Sequence, residues 1–388
     1  MSPALPAAVA PTLAALPAAS RLSPQARQLM TDLQSHGLRL LDPSAPNGGV
    51  ASRRGGAGPS DHKAVTVDGH TIMVPVHTHS AWASPFVAAA PDAHGRSTVH
   101  RGAIPIAQIS FPKAPRFYDL KTVDGIPYSH IATLHGADVL ATTVLQTCIR
   151  YQSRTKTCQF CAIGQSLAAG RTIAHKTPAQ LAEVALAAVR LDGVKHMVMT
   201  TGTPATPDRG AQVLVDSALA IRAAVDLPIQ AQCEPPDSDR WFLRMRNAGI
   251  DSLGMHLELV TPELRQRLMP GKASVPLARY FESFAAAVAV FGRGQVSTYL
   301  LAGLGDAPEA ILAMCERLLA VGVYPFVVPF VPISGTPLED HPPPSADFMR
   351  ALLAPLGAMV SAAGLRSADI KAGCGKCGAC SSLSVFET

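Results

Sequence analysis

Cys148, Cys158 and Cys161 stand on one short arc, "TCIRYQSRTKTCQFCAIG", with nine residues between the first two, two between the last two, and Phe160 directly before the third. Three thiolates so close together are soft donors, suited to zinc or to an iron–sulfur cluster. A disulfide would use two and leave one over. A closed zinc site would want a fourth ligand, such as His175. A 4Fe-4S cluster held by three cysteines keeps one iron open to an outside ligand, which is a functional arrangement. A second set, Cys374, Cys377 and Cys380 in "CGKCGAC", has two-residue gaps that let consecutive thiolates face one small centre, with Gly375 and Gly378 removing side-chain obstruction. That tail is expected to hold a second 4Fe-4S cluster; structural zinc and redox-active thiols are the alternatives, and its fourth ligand is open. Cys233 reads as a buried core thiol. His77 and His79, two apart in "VPVHTHSAW", would share one face of a strand and could meet a metal or a substrate.

Hydrophobic patterning sets the elements that must position these residues. "SPQARQLMTDLQSHGLRLLD" has helical spacing behind a Ser23 cap, which predicts a helix near 24–36. Residues 64–135 carry short β-type runs between Gly and Pro, which predicts a small β-rich unit. From about 138 onward, strand-like runs at 138–147, 195–201, 228–234, 251–258, 295–304 and 324–332 alternate with helical patterns near 178–191, 210–224, 238–248, 275–291, 307–321 and 345–363. That alternation predicts βαβ units on a parallel sheet. Six β/α units are legible and no seventh or eighth, so the fold class is α/β with an open, partial (β/α)6 TIM-type barrel. The expected organisation is an Ala/Pro tail at 1–22, an N-terminal helix plus β-rich unit at 23–137, the barrel at 138–366 and a Cys-rich metal-binding tail at 367–388. Cys148 falls at the end of the first barrel strand, and active sites of parallel β/α folds collect at such strand ends.

Composition narrows the function classes. Apolar residues make up 48% of 388 and charged ones 16%, with a net charge of only +5. No basic run interleaves with aromatics, so a dedicated nucleic-acid binder is not expected. The apolar N-terminal stretch has no basic residue before Arg21 and is broken by prolines, unlike a signal peptide. No uninterrupted apolar stretch is long enough for a membrane span. Clustered cysteines at CxxC spacing point to metal binding in a reducing compartment, so a cytoplasmic protein is expected.

With its cysteines at a barrel mouth, "CQFC" and the aromatic Phe160, the chain resembles the radical S-adenosylmethionine superfamily; the nine-residue first gap departs from the common spacing. "TTGTP" at 200–204 stands where such enzymes receive the methionine amino group. "GMHLE" ends in Glu258, where relatives place a polar residue on the cofactor. "LLAGLGD" and "VPFVPISGTPLE" resemble the biotin synthase branch. The nine-residue gap together with "CGKCGAC" is similar to a bacterial radical enzyme family found beside nitrilases, linked to nitrile or cyanide metabolism. The resemblance implies a 4Fe-4S cluster on Cys148, Cys158 and Cys161. It also implies S-adenosylmethionine against Phe160, Thr201, Gly202, Thr203, Gln232, Glu234, Glu258 and Val331. The implied chemistry is reductive cleavage of that cofactor to a 5′-deoxyadenosyl radical that abstracts hydrogen from a small-molecule substrate. An electron donor such as flavodoxin or ferredoxin is implied as partner. Two other classes remain: a sulfur-inserting enzyme using the tail cluster, and a non-catalytic iron–sulfur or zinc protein. Glu258 could instead cap a helix or pair with Arg265, and Gln232 and Glu234 could merely solvate a sheet end.

Overall fold

The computed structural model describes residues 22–41, 62–153 and 155–387. The Ala/Pro tail, Leu22 apart, and the turn-rich stretch at 43–60 lie outside the described residues. Helix α1 (Pro24–His36) starts where the cap predicts, with the Ser23 hydroxyl accepting the Ala26 N–H at 3.1 Å. It is followed by β1 (Arg39–Leu40), β2 (His62–Val67), β3 (His70–Pro75), α2 (His79–Trp82), β4 (Phe86–Ala88), β5 (Arg96–Arg101) and β6 (Ile104–Ser110). These strands form a six-stranded sheet in the order β1-β4-β5-β6-β2-β3, covered by Met30 and Leu33 of α1. The two histidines of "VPVHTHSAW" do not alternate on a strand. Thr78 caps a short helix by accepting the Ala81 N–H at 3.1 Å, so His77 precedes the cap and His79 opens the helix, 3.7 Å from Asp340.

The second sheet follows α3 (Tyr128–Ile131). Its strands are β7 (Thr133–His135), β8 (Val139–Thr143), β9 (His196–Thr200), β10 (Ile229–Gln232), β11 (Ser252–Gly254), β12 (Val296–Ala302) and β13 (Val323–Pro329), neighbours in chain order. β8 to β13 are all parallel, and β7 pairs antiparallel with β8. Between them run α4 (Ile163–Ala168), α5 (Pro178–Asp192), α6 (Ala211–Ala224), α7 (Arg240–Asn247), α8 (Pro262–Leu268), α9 (Pro270–Ala273), α10 (Leu277–Phe291) and α11 (Pro308–Ala320), with α12 (Ala346–Ala362) and α13 (Cys374–Cys377) after the last strand. The six expected β/α units are therefore present as a partial barrel. Each strand lies inside its expected range or within a residue of it, because buried parallel strands read as continuous apolar runs. β7 was not foreseen; three residues carry no period. Among the described residues no helix is long and apolar enough to cross a membrane.

An open barrel leaves two ends and one flank to be covered, and two parts of the chain do this. The C-terminal tail crosses the N-terminal ends of the strands: Gly373 N–H donates to His196 at the start of β9, and Lys371 N–H to Gln295 just before β12. The N-terminal unit then docks on the tail, with Met73 N–H and the Gln34 amide both donating to the Ala379 carbonyl, at 2.6 and 3.1 Å.

At the opposite end, Asp306 of "LLAGLGD" accepts the Val260 and Thr261 amides at 2.9 and 3.0 Å and the Thr261 hydroxyl, while only 4% exposed. It ties the turn after β11 to the turn after β12. Asp306→Ala would strand two buried amides and is expected to cost about 3 kcal/mol, read from the urea midpoint. An unchanged midpoint would show that the two turns hold without it.

Candidate cofactor and metal site

The three-cysteine loop leaves β8 and is clamped from three sides. Arg150, inside the nine-residue gap, makes a two-pronged pair with Glu234 just beyond β10, at 2.7 and 2.5 Å, each residue 7% exposed. Thr203 donates its hydroxyl to the same carboxylate at 2.8 Å. Burial alone would raise the Glu234 pKa, but the Arg150 hydrogen bonds and nearby Lys272 outweigh it and hold the carboxyl below its ordinary value. On a second side, "TTGTP" lies along the loop: Gly202 N–H donates to Leu145 and Ile149 N–H to Thr203, and a Cβ on Gly202 would stand 2.1 Å from the Thr147 carbonyl. On the third, the α8–α9 turn takes Lys156 and Gln159, and a Cβ on Gly271 would stand 2.5 Å from the Lys156 carbonyl. The long gap between Cys148 and Cys158 is thus a tether.

Burial drives the thiols of Cys158 and Cys161 upward, Cys161 to about 12. Nearby Lys272 favours the thiolates but does not offset burial, and a bound soft cation would. Three sulfur donors with no closing ligand among the described residues fit a cluster with one open iron better than a closed tetrahedral zinc site. Phe160, Cys158 and Leu338 of the "GTPL" turn all pack against the buried cluster that contains Phe330.

Below the loop lies a chamber of about 340 Å³. Of the residues expected to meet a cofactor, Phe160, Thr201, Gln232, Glu258 and Val331 are on its wall, together with Cys161. Gly202, Thr203 and Glu234 stand behind that wall, in the clamp just described. Glu258 adopts a left-handed backbone, φ +64°, which is strained for a residue with a Cβ. Two backbone bonds pin it, its N–H to Tyr299 and its carbonyl from Leu301, at 2.8 and 2.7 Å. Its carboxylate pairs with Lys272 at 2.8 Å, not with Arg265, whose guanidinium caps the Leu257 and Leu259 carbonyls. Burial disfavours the charge on Lys272, yet Glu258 more than compensates and holds its pKa above the usual lysine value.

Cys374 and Cys380 line the same chamber from its other end. Gln230 accepts the Cys374 N–H at 3.1 Å, and a Cβ on Gly373 would collide with that glutamine's amide. Gln232 donates to Cys374 Sγ at 3.1 Å, so it serves the tail and not the loop above. Tyr299 is hydrogen-bonded to both wall sulfurs, and His135 Nε2 lies 3.3 Å from Cys380 Sγ. Among the described residues no three His, Cys, Asp or Glu side chains gather about one point as ligands of a single ion would. A four-iron cluster takes each cysteine on a different iron and does not require such a gathering. Cys233 is buried, as expected, and its thiol is pushed up to about 12 by burial.

Arg150, Lys272, His135, His256 and Tyr299 were not picked out from the sequence. Arg150 lies inside the quoted cysteine stretch; its partner is 84 residues away, and only the fold reveals it.

A profile described as the radical SAM superfamily matches residues 155–318. Bacteriochlorophyllide c C-7(1)-hydroxylase of Chlorobaculum limnaeum is 29% identical over 213 residues, 50% of this chain and 53% of that protein. A probable dual-specificity RNA methyltransferase RlmN of Moorella thermoacetica is 30% identical over 32% of this chain and 35% of its own. The chain thus matches about half, or less, of the length of these curated relatives. The solved structure of methylornithine synthase (PylB) aligns at TM-score 0.45 and 17% identity over 63% of this chain and 66% of that one. That of HydG, a maturase of the [FeFe]-hydrogenase, aligns at 0.44 and 15% over 57% and 49%.

The clamp makes a stability prediction. Glu234→Ala leaves the buried Arg150 charge uncompensated and is expected to cost about 3–5 kcal/mol near neutral pH. Because folding lowers the Glu234 pKa, its stabilisation is present above the ordinary glutamate range and fades as pH falls through the lowered value. The gap between wild type and variant, measured by urea denaturation, should therefore narrow in acid. A gap independent of pH would refute the ion-pair origin.

Proposed function

From a chain that carries a radical S-adenosylmethionine superfamily domain, we propose an enzyme in which Cys148, Cys158 and Cys161 hold a 4Fe-4S cluster at the mouth of the barrel. With that cluster and S-adenosylmethionine bound, the pair supplies a 5′-deoxyadenosyl radical able to abstract hydrogen from a small-molecule substrate in the chamber. The observation that carries this reading is the convergence of Phe160, Cys161, Thr201 and Glu258 on one chamber. Phe160 and Cys158 anchor the loop on the apolar cluster around Phe330. Thr201 and Glu258 present oxygen atoms to the polar parts of the cofactor, and Lys272 orients the Glu258 carboxylate. The clamp of Arg150 and Glu234 fixes the loop before any cofactor arrives, so little ordering is left for binding. An external one-electron donor such as flavodoxin or ferredoxin would be the partner. The nine-residue cysteine gap and the Cys-rich tail support a place in nitrile- or cyanide-related nitrogen metabolism. The domain limits we propose are 23–137, 138–366 and 367–388.

Cys374, Cys377 and Cys380 would hold a second 4Fe-4S cluster, with His135, 3.3 Å from Cys380 Sγ, a candidate for the remaining position. Cys374 and Cys380 on the wall of the same chamber favour a second reading, in which the tail cluster donates sulfur to the substrate, as in the biotin synthase branch.

Replacing Cys148, Cys158 and Cys161 by Ala should remove about four irons from the reconstituted protein and abolish 5′-deoxyadenosine formation. Retained cleavage would refute the assignment. The tail is buried against the barrel, so it is tested by substitution and not by truncation. Replacing Cys374, Cys377 and Cys380 by Ser should lower iron from about eight to about four per chain while the cleavage of S-adenosylmethionine persists. Unchanged iron, with zinc lost instead, would make the tail a zinc knuckle.

A further inference from the structure

The strand register divides the chamber into layers. Gln232 pairs with Gly254, and Gly254 with Ser297. Beyond Gly254 the ladder resumes only at Glu258, opposite Leu300, so His256 stands between the level of Gln232 and that of Glu258. Tyr299 shares the His256 layer, the two rings meeting edge to face at 4.7 Å. His256 therefore lies between the end assigned to the cofactor and the end occupied by the tail cysteines.

Its tautomer follows from one hydrogen bond. The β11 ladder stops at Gly254, and the Tyr299 N–H beyond it donates to His256 Nδ1 at 3.2 Å. A nitrogen that accepts from an amide carries no proton, so the proton of the neutral ring is on Nε2. Burial, with Lys272 nearby, lowers the His256 pKa to about 3, so the ring stays neutral. The chamber offers little to a charge. Glu258 is the one Asp, Glu, Lys or Arg on its wall among the described residues, and Lys272 already pairs with it. His62 and His135 are engaged with other protein groups. Apart from Cys161, Cys374 and Cys380, whose sulfurs the clusters would take, the rest of the wall is apolar or carries uncharged donors and acceptors, including Thr143, Thr200 and Tyr299. Burying an unpaired charge there would cost far more than burying a neutral group that finds a hydrogen bond.

We propose that the middle layer takes a small neutral substrate bearing a hydrogen-bond acceptor, and that His256 Nε2–H is the donor that orients it. The proposal rests on the reading of this chamber as the reaction space, but its test needs neither iron nor turnover. The full chain, labelled with [15N]histidine, is titrated with benzamide, benzoate and benzylamine as neutral, anionic and cationic probes of one shape. One imidazole, missing from His256→Phe, should show the Nε2–H tautomer and fail to titrate between about pH 8 and about pH 5. Benzamide should shift that signal, and the charged probes should not. His256→Phe should weaken benzamide about tenfold, the loss of one buried hydrogen bond, while His256→Gln, which can accept from Tyr299 and still donate, should restore it. The idea is overturned by a protonated or Nδ1–H ring, by no response of His256 to benzamide, by benzoate or benzylamine binding as tightly as benzamide, or by an unchanged affinity in His256→Phe. Because no arm depends on cluster loading, a failure here is distinct from a failure to cleave S-adenosylmethionine.

Discussion

The buried pair of Arg150 and Glu234 is the interaction on which the geometry of the barrel mouth rests. It joins the loop after β8 to the end of β10, and through Thr203 it also takes in the turn after β9. Three successive strand ends are thereby locked around one carboxylate. Two charges removed from water repay their desolvation only when geometry is near ideal and the remaining lone pairs are met. Here the guanidinium is used two-pronged and the carboxylate receives a third donor. Such a site buys definition of position more than net stability. Position is what a long loop carrying Cys148, Cys158 and Cys161 lacks by itself.

A second pair performs a related task one strand further on. Glu258 sits in a backbone conformation that costs energy for any residue but glycine, and it persists because both its peptide groups and its carboxylate are held. Strain of this kind clusters where a side chain must be aimed against the preference of its backbone. The α8–α9 turn links the two pairs: Lys272 reaches Glu258, while neighbouring Gly271 lets the backbone close on Lys156 of the cysteine loop. Movement of the loop would therefore be felt at Glu258 without any direct contact between them.

Much of this was legible in the sequence, for identifiable reasons. The six parallel strands are buried on both faces and write themselves as unbroken apolar runs, and the α1 start carries a Ser23 cap that acts within three residues. Phe160, Cys161, Thr201 and Glu258 reach one chamber because each follows a strand, and strand ends of a parallel sheet converge. Pairings across 84 or 142 residues, such as Arg150 with Glu234 or Gln232 with Cys374, depend on which strand ends become neighbours. No local pattern encodes that. Gln232 and Glu234 illustrate the difference: two apart at one strand end, they read as equivalent, yet β10 stops at Gln232, which meets the tail, while Glu234 lies beyond the ladder and enters the clamp. His77 and His79 failed for the opposite reason, a local one, since Thr78 between them is a helix cap.

A barrel of six units is cheaper in chain length than one of eight, but it leaves a flank and an end through which water could reach a reactive centre. This chain fills both with segments that also carry chemistry. The tail that closes the strand starts brings Cys374 and Cys380 to the chamber wall, and the N-terminal unit that docks on Ala379 adds Gln34, His62 and Met73 to it. Closure and the supply of polar groups are therefore the same structural act. Wherever a bound molecule displaces water from such a space, each hydrogen bond made there is strengthened, because the competing solvent is gone. The same loss of solvent also penalises any charge brought in unpaired. The enclosure that would protect a radical thus selects, by the same physics, the polarity of what can be bound beside it.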